Sequence, residues 1–173
     1  ASDVYKRQRG MTDTQKKPLW KNELVWLFLL TSGLFAILYS KFILGGYAYV
    51  FTDTGADTMQ INYAQYGLFS SLFRSGESGY VLQAGLGMDV SSYYPAYLIP
   101  YNLLILLALQ RLLPWAVLAS AYLKMITISL VGYLFYRKLM QDGIGTMAAA
   151  LAWTFSGYVI LWGQHYGFCT CMA

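Results

Sequence analysis

Residues 51–66 read FTDTGADTMQINYAQY and set Asp53 and Asp57 in a polar run between two strongly apolar segments. A carboxylate can take a proton from an attacking hydroxyl, so two of them this close raise the question of general-base chemistry. The same spacing also fits plainer roles. Asp57 with Gln60 three residues on is the acid and glutamine pair of a helix N-terminus, a cap worth about 1 kcal/mol. Asp53, beside Gly55, fits a turn.

Four other ionisable residues are candidates. Lys124 lies inside the apolar run WAVLASAYLKMITISLVGYLFY, residues 115–136, roughly 13 Å from its start at 1.5 Å per residue. An ionisable group at that depth is a functional candidate, weighed against a lysine that snorkels to the nearer interface. Arg74 ranks below it as a phosphate contact, because a cation in the last turn of a helix also complements the dipole. Asp89, in GLGMD, is a candidate for metal or acceptor binding, against glycines that only form turns. That loop lacks GK[ST] and is no nucleotide P-loop. His165, the single histidine, falls where the last apolar run ends and reads as structural. Cys169 and Cys171 form a C-x-C pair with no second pair at zinc-ligand spacing. No metal site is read, and a divalent cation stays open as the one cofactor.

The elements that must position these residues are membrane elements. The chain is 57% hydrophobic, 17% aromatic and only 12% charged, far from the soluble average. The fold class expected is all-α, a polytopic transmembrane helical bundle with an extracytoplasmic loop that carries surface helices. Residues 1–10 precede Met11 and are read as a non-native leader; their Lys6, Arg7 and Arg9 against Asp3 supply half of the net charge of +4. The chain stops at FCTCMA directly after an apolar run, so residues 167–173 are read as a truncated end and the whole as an N-terminal piece. No cleavable signal peptide is expected, because the first apolar run is too long and lacks a small-residue cleavage site.

Residues 24–44, LVWLFLLTSGLFAILYSKFIL, are about 21 in number, enough to cross ~30 Å of hydrocarbon. Lys16, Lys17 and Lys21 precede them within 11–23, which places the N-terminus in the cytoplasm, and Lys41 can snorkel outward. Residues 45–92 then form an extracytoplasmic acidic loop, with Asp53, Asp57, Glu77 and Asp89 against Arg74. Pro95 and Pro100 interrupt residues 93–113. Proline costs about 3 kcal/mol inside a helix, so this run reads as an interfacial or re-entrant helix. Residues 115–136 cross back and end at Arg137 and Lys138, in a cytoplasmic loop over 137–145. Residues 146–166 return, with Ala148, Ala152 and Ser156 as a small-residue ridge and Gln164, His165 and Tyr166 at the outer end. Trp26, Tyr39, Tyr47 and Trp115 fit interface belts.

Within the outer loop, residues 57–74 read as a surface helix. Ile61, Gln65, Leu68 and Leu72 fall at helical spacing, and Arg74 and Gly76 mark the stop. It is expected to lie along the outer leaflet, apolar side down.

The segments FTDTGADTMQINYAQY, AGLGMDVSSYYPAYLIPYNLLILL, YLKMITISLVGYLFYRK and LAWTFSGYVILWGQ, in that order, resemble the bacterial YfhO family of membrane proteins, over nearly all of the chain from residue 24 onward. The ordered set carries the likeness rather than any single motif. That family resembles the membrane-embedded C-type glycosyltransferases, which pass a sugar from a polyprenyl-phosphate carrier to an acceptor outside the cytoplasm. Its members are linked to glycosylation of cell-surface polymers such as teichoic acids. The resemblance implies a catalytic aspartate at the head of a surface helix in the first outer loop, the place of Asp57, with Asp53 as the neighbouring candidate. It also implies a lysine at the place of Lys124 and a proline-containing surface helix where residues 93–113 fall.

On that implication Asp57 is the base, since a carboxylate at a partly desolvated interface has a raised pKa suited to the task. The leaving polyprenyl phosphate is already an anion and needs positive charge rather than an acid, for which Lys124 and Arg74 are the candidates. The partners implied are membrane lipid, the polyprenyl-phosphate sugar and a cell-surface polymer, with no nucleic acid. A transporter or flippase for lipid-linked or small polar solutes is the competing reading, with Lys124 lining its pathway. A scaffold subunit whose loop binds a partner is the third.

Overall fold

The structure is a computed structural model that describes residues 22–50, 58–77, 79–82, 87–91, 99–140 and 142–163. Helix α1, Glu23–Leu38, starts where the Asn22 side chain accepts a hydrogen bond from the Leu24 N–H at 3.0 Å. Its 16 residues give about 24 Å of helix. At Tyr39 the helix breaks, and the short α2, Ser40–Leu44, carries the chain on. The single helix expected over 24–44 is thus two pieces, and no proline or glycine stands at the break.

A π-helical turn, Thr58–Tyr63, runs into helix α3, Ala64–Ser75. Gly76 ends α3 in the left-handed region at φ 71°, and its N–H reaches back to the Leu72 carbonyl, the conformation that glycine adopts without a Cβ penalty. Arg74 sits in the last turn. The chain then forms a four-residue antiparallel ladder of β1, Tyr80–Val81, and β2, Met88–Asp89, with Tyr80 opposite Asp89.

From Pro100 the backbone is helical but broken. A 3-10 turn at Pro100–Asn102 leads to α4, Leu103–Leu107, and a second at Gln110–Leu112 leads to α5, Leu113–Leu139. The five residues of α4 give only about 8 Å. The 27 of α5 give about 40 Å. Asp142 caps α6, Gly143–Thr154, through both carboxylate oxygens, which accept from the Ile144 and Gly145 N–H groups. Ser156 caps α7, Gly157–Trp162. Residues 146–166 were expected to run as one helix, and the backbone instead breaks between Thr154 and Gly157.

The described chain is therefore mostly helical, with two segments, Gln110–Leu139 and Gly143–Trp162, long and apolar enough to cross a membrane. Helix α5 is the centre: α1, α4 and α6 all pack on it. Thr31 of α1 and Ser129 of α5 join their hydroxyls at 2.9 Å in the buried seam, and Ser32 meets the Tyr122 hydroxyl at 2.8 Å. At one end, Tyr133 donates to Glu23 at 2.5 Å, with Arg137 at 3.7 Å from the same carboxylate.

Two expected faces are corrected. The packed ridge of α6 is Thr146, Ala150 and Thr154, all fully buried, while Ala148 and Ala152 face outward. The four-residue spacing holds but its phase is shifted by half a turn, because Ala150 is the residue that meets Gly132 of α5. On α3 the buried residues are Tyr66, Phe69, Ser70 and Leu72, and Ile61 is exposed. The reason is polar as much as apolar: Ser70 donates to the Ala108 carbonyl at 2.8 Å, left open at the break after α4.

Candidate functional site: a cavity around Lys124

Lys124 projects from the middle of α5, about 16 Å along the helix from Leu113, and only 4% of it is exposed. It lines a cavity whose other polar walls are Ser120, one turn earlier on the same helix, Tyr39 at the α1 break, Tyr49, and Tyr66 of α3. Apolar walls come from Ile105, Val117, Met125 and Val159. The space that the centre of a water molecule can occupy is about 20 Å³, above the ~10–15 Å³ that one water needs.

The local folding explains each placement. Ser120 and Lys124, four apart, share one face of α5. The break at Tyr39 turns that ring inward: it stacks on Phe35 at 4.3 Å and receives a long hydrogen bond of 3.4 Å from the Tyr49 hydroxyl. Tyr66 is carried by α3 and directs its hydroxyl to the buried Asn102 side chain, also at 3.4 Å. Gln110 ties α3 down again through the Gly67 carbonyl at 2.8 Å.

The Ser120 hydroxyl oxygen is buried and has no hydrogen-bond partner among the described residues. A buried hydroxyl left that way costs free energy, so it marks the point where the cavity wall asks for a polar occupant. Lys124 is the one charged side chain among the described residues that line the cavity.

The other sequence candidates fall elsewhere. Arg74 is exposed at the end of α3 and does not line the cavity. Asp89 is exposed on β2, where its carboxylate accepts from the Ser91 N–H at 3.0 Å and the Ser91 hydroxyl at 2.6 Å. Those two bonds hold its pKa below the usual carboxylate value, which suits a loop anchor rather than a base. Asp53, Asp57, His165, Cys169 and Cys171 lie outside the described residues. Among the described residues no group of three or more His, Cys, Asp or Glu is placed to hold a metal ion. In the π-helical turn, burial pushes the Tyr63 hydroxyl's pKa up, so it stays a neutral donor and acceptor.

Four of the cavity's polar residues were not singled out from the sequence as site residues. Tyr39, expected in an interface belt, is only 7% exposed and belongs to the cavity, whereas Tyr47 at 68% is open. Ser120 carried one usable signal, a hydroxyl one helical turn before a lysine in an apolar run. Tyr49 and Tyr66 carried none beyond residue type.

Comparison with protein-family models, with curated proteins and with solved structures finds no match for this chain.

Proposed function

We propose that the chain is the N-terminal part of an integral membrane glycosyltransferase that passes a sugar from a polyprenyl-phosphate carrier to an extracytoplasmic acceptor, a cell-surface polymer of the teichoic acid type. One observation carries the reading: a buried lysine faces a polar cavity that is closed on one side by Tyr66, on the helix that follows Asp57 in the sequence. The YfhO-family resemblance supplies the chemistry to which that arrangement is fitted.

The membrane setting rests on an inverted distribution of polarity. Helices α1, α5 and α6 to α7 present Phe28, Leu30, Ile37, Leu134, Phe135 and Leu161 outward. Thr31, Ser129, Thr146 and Thr154 are buried between them. Exposed apolar surface on that scale suits lipid. On this reading α1 with α2, α5, and α6 with α7 are the crossings of a multi-pass cell-membrane protein. The N-terminus is cytoplasmic, and α3, α4 and the β ladder lie at the outer leaflet.

In the transfer step an acceptor hydroxyl attacks the sugar's anomeric carbon. The new carbon–oxygen bond forms as the bond from that carbon to the phosphate oxygen breaks, and Asp57, with Asp53 as its neighbour, takes the acceptor's proton. The carrier leaves as a phosphate anion, with Lys124 supplying charge. The donor, the acceptor and membrane lipid are the partners. A divalent cation is the one cofactor left open, with Asp89 as its candidate ligand.

The test is Asp57→Asn in the full-length protein, reconstituted with a labelled polyprenyl-phosphate sugar. Transfer falls by about 10²- to 10⁴-fold, the worth of a positioned base, while membrane insertion is kept. Undiminished transfer moves the role to Asp53 or removes it from the loop. The depth of Lys124 along α5 favours a second reading, a transporter or flippase with that lysine on its route. Proteoliposomes that move a lipid-linked solute without transferring its sugar select it.

A further inference from the structure

Helices α4 and α5 meet at the break around Ala108, and a groove runs between them that shares no lining residue with the cavity around Lys124. Its shape follows from side-chain size. Ala108 is buried and Ala116 and Ala119 are half-buried, and they form the floor. Leu104, Leu107, Leu112 and Trp115, between 43% and 62% exposed, stand as the walls. Every described residue that lines the groove is apolar, so hydrocarbon is a better occupant than water. About 340 Å³ is open to the centre of a water-sized sphere, against about 20 Å³ in the Lys124 cavity.

Length and charge narrow the occupant. Along α5 the lining runs from Leu112 to Ala119, about 10 Å. Two turns are short for the seam of a transmembrane helix, which follows much of the ~30 Å hydrocarbon layer, and they are enough for part of one acyl chain. Arg111 immediately precedes Leu112, is exposed, and has no ion-pair partner among the described residues. It stands four positions before Trp115, one helical turn away on the same side. Its planar guanidinium offers paired donors that match two oxygens of a phosphate, and a tryptophan at that level suits the membrane interface. An apolar groove that ends at an unpaired cation complements a molecule with a hydrocarbon chain and an anionic head.

We propose that this groove seats one acyl chain of an anionic phospholipid, whose phosphate pairs with Arg111. A zwitterionic head carries a cation of its own beside the phosphate, so the anionic head is favoured. The inference rests on the membrane setting of the proposed function and on no step of sugar transfer.

The experiment reconstitutes the full-length protein in phosphatidylcholine vesicles that hold a minor share of phosphatidylglycerol, with insertion checked by flotation. Bromine is placed on the acyl chains of an equal share of one lipid or the other, and tryptophan emission reads the contact. Brominated phosphatidylglycerol quenches the unsubstituted protein more than brominated phosphatidylcholine does, and Trp115→Phe removes the excess. Arg111→Gln, at an exposed position, lowers the preference for phosphatidylglycerol about fivefold, as expected for one cation at an anionic surface. Ala119→Leu fills the floor and also removes the excess, with the unfolding midpoint as the check that the helices keep their packing.

Equal quenching by the two lipids in the unsubstituted protein overturns the site, and so does an excess that survives Arg111→Gln unchanged. Trp115 emission that neither brominated lipid reaches overturns it as well and gives the groove to a protein segment. Failure to float removes the membrane setting itself. Loss of the lipid preference leaves sugar transfer, read at Asp57, as it was, so the inference and the transferase reading fail separately.

Discussion

Thr31 on α1 and Ser129 on α5 share a hydrogen bond of 2.9 Å with both side chains fully buried, while the outward neighbours of Thr31 include Leu30 and Leu34. The polar contact is inside and the apolar surface outside. In water that arrangement wastes the hydrophobic effect; in lipid, helices gain little by hiding leucine and more by joining hydroxyls.

Replacing Thr31 by Val or Ser129 by Ala should therefore loosen the α1–α5 seam by about 1 kcal/mol each. The effect is bounded because the orphaned hydroxyl can turn to a carbonyl of its own helix one turn back. The double variant should fall short of the sum, with a coupling of about 0.6 kcal/mol and at most ~1.7 kcal/mol, the range for such pairs in membranes. A double-mutant cycle on unfolding in detergent reads it. Strict additivity would mean that the two hydroxyls do not act on one another.

At the α5–α6 crossing the small residue is less constrained than its position suggests. A Cβ built on Gly132 would lie 3.6 Å from the Trp153 ring and 3.9 Å from the Ala150 methyl, an ordinary packing distance. Gly132→Ala should leave the fold intact and stabilise it by up to about 1 kcal/mol through helix propensity. Gly132→Leu has no such room and should part the helices, costing about 1–3 kcal/mol as overpacking does. Unfolding midpoints of the two variants should move in opposite directions.

The same pair of helices shows how far the sequence could be read. Two helix ends were marked well: α3 ends at Gly76 and α5 runs just past the cations Arg137 and Lys138, whereas Gly143 and Gly145, expected in the loop, open α6. Phase was harder. Residues 146–156 contain two interleaved sets of small residues four apart, and only the neighbour that approaches, Gly132, decides which set is buried. The break at Tyr39 left no mark, since the ring is turned by packing against Phe35 and Tyr49 rather than by any local breaker. Lys124 stood out in the sequence because charge in an apolar run is rare. The rest of its cavity did not, because Tyr49 and Tyr66 come from distant segments that meet only in the fold.

Asp89 offers a test that needs no activity. Its folded pKa lies below the unfolded value because Ser91 donates two hydrogen bonds to the ionised carboxylate. The sign follows: the stabilisation is present above the unfolded pKa, near 4, and is lost as pH falls through the folded one. Ser91→Ala removes the hydroxyl bond and should raise the Asp89 pKa toward the ordinary carboxylate value, read by a carboxyl-carbon NMR titration. An unchanged titration would mean that the Ser91 hydroxyl does not set the Asp89 pKa.

The sidedness of the chain decides whether the cavity can meet a carrier lipid from outside. Lys138 ends α5 and is exposed; Glu77 follows α3 and is exposed as well. Under the proposed topology, in which α5 crosses the bilayer from α4 to Lys138, these two positions lie on opposite sides of the membrane. With Cys169 and Cys171 replaced by Ser, a single cysteine at Glu77 should react with a membrane-impermeant maleimide in intact cells, and one at Lys138 only after the membrane is opened. Both positions are solvent-facing and outside the packed seams, so the substitutions should leave folding within about 0.5 kcal/mol. The reverse labelling pattern would put α3 and the segment before it in the cytoplasm, away from an extracytoplasmic acceptor. The transferase reading would then fall, because the cavity lined by Lys124 would not meet a carrier lipid from outside.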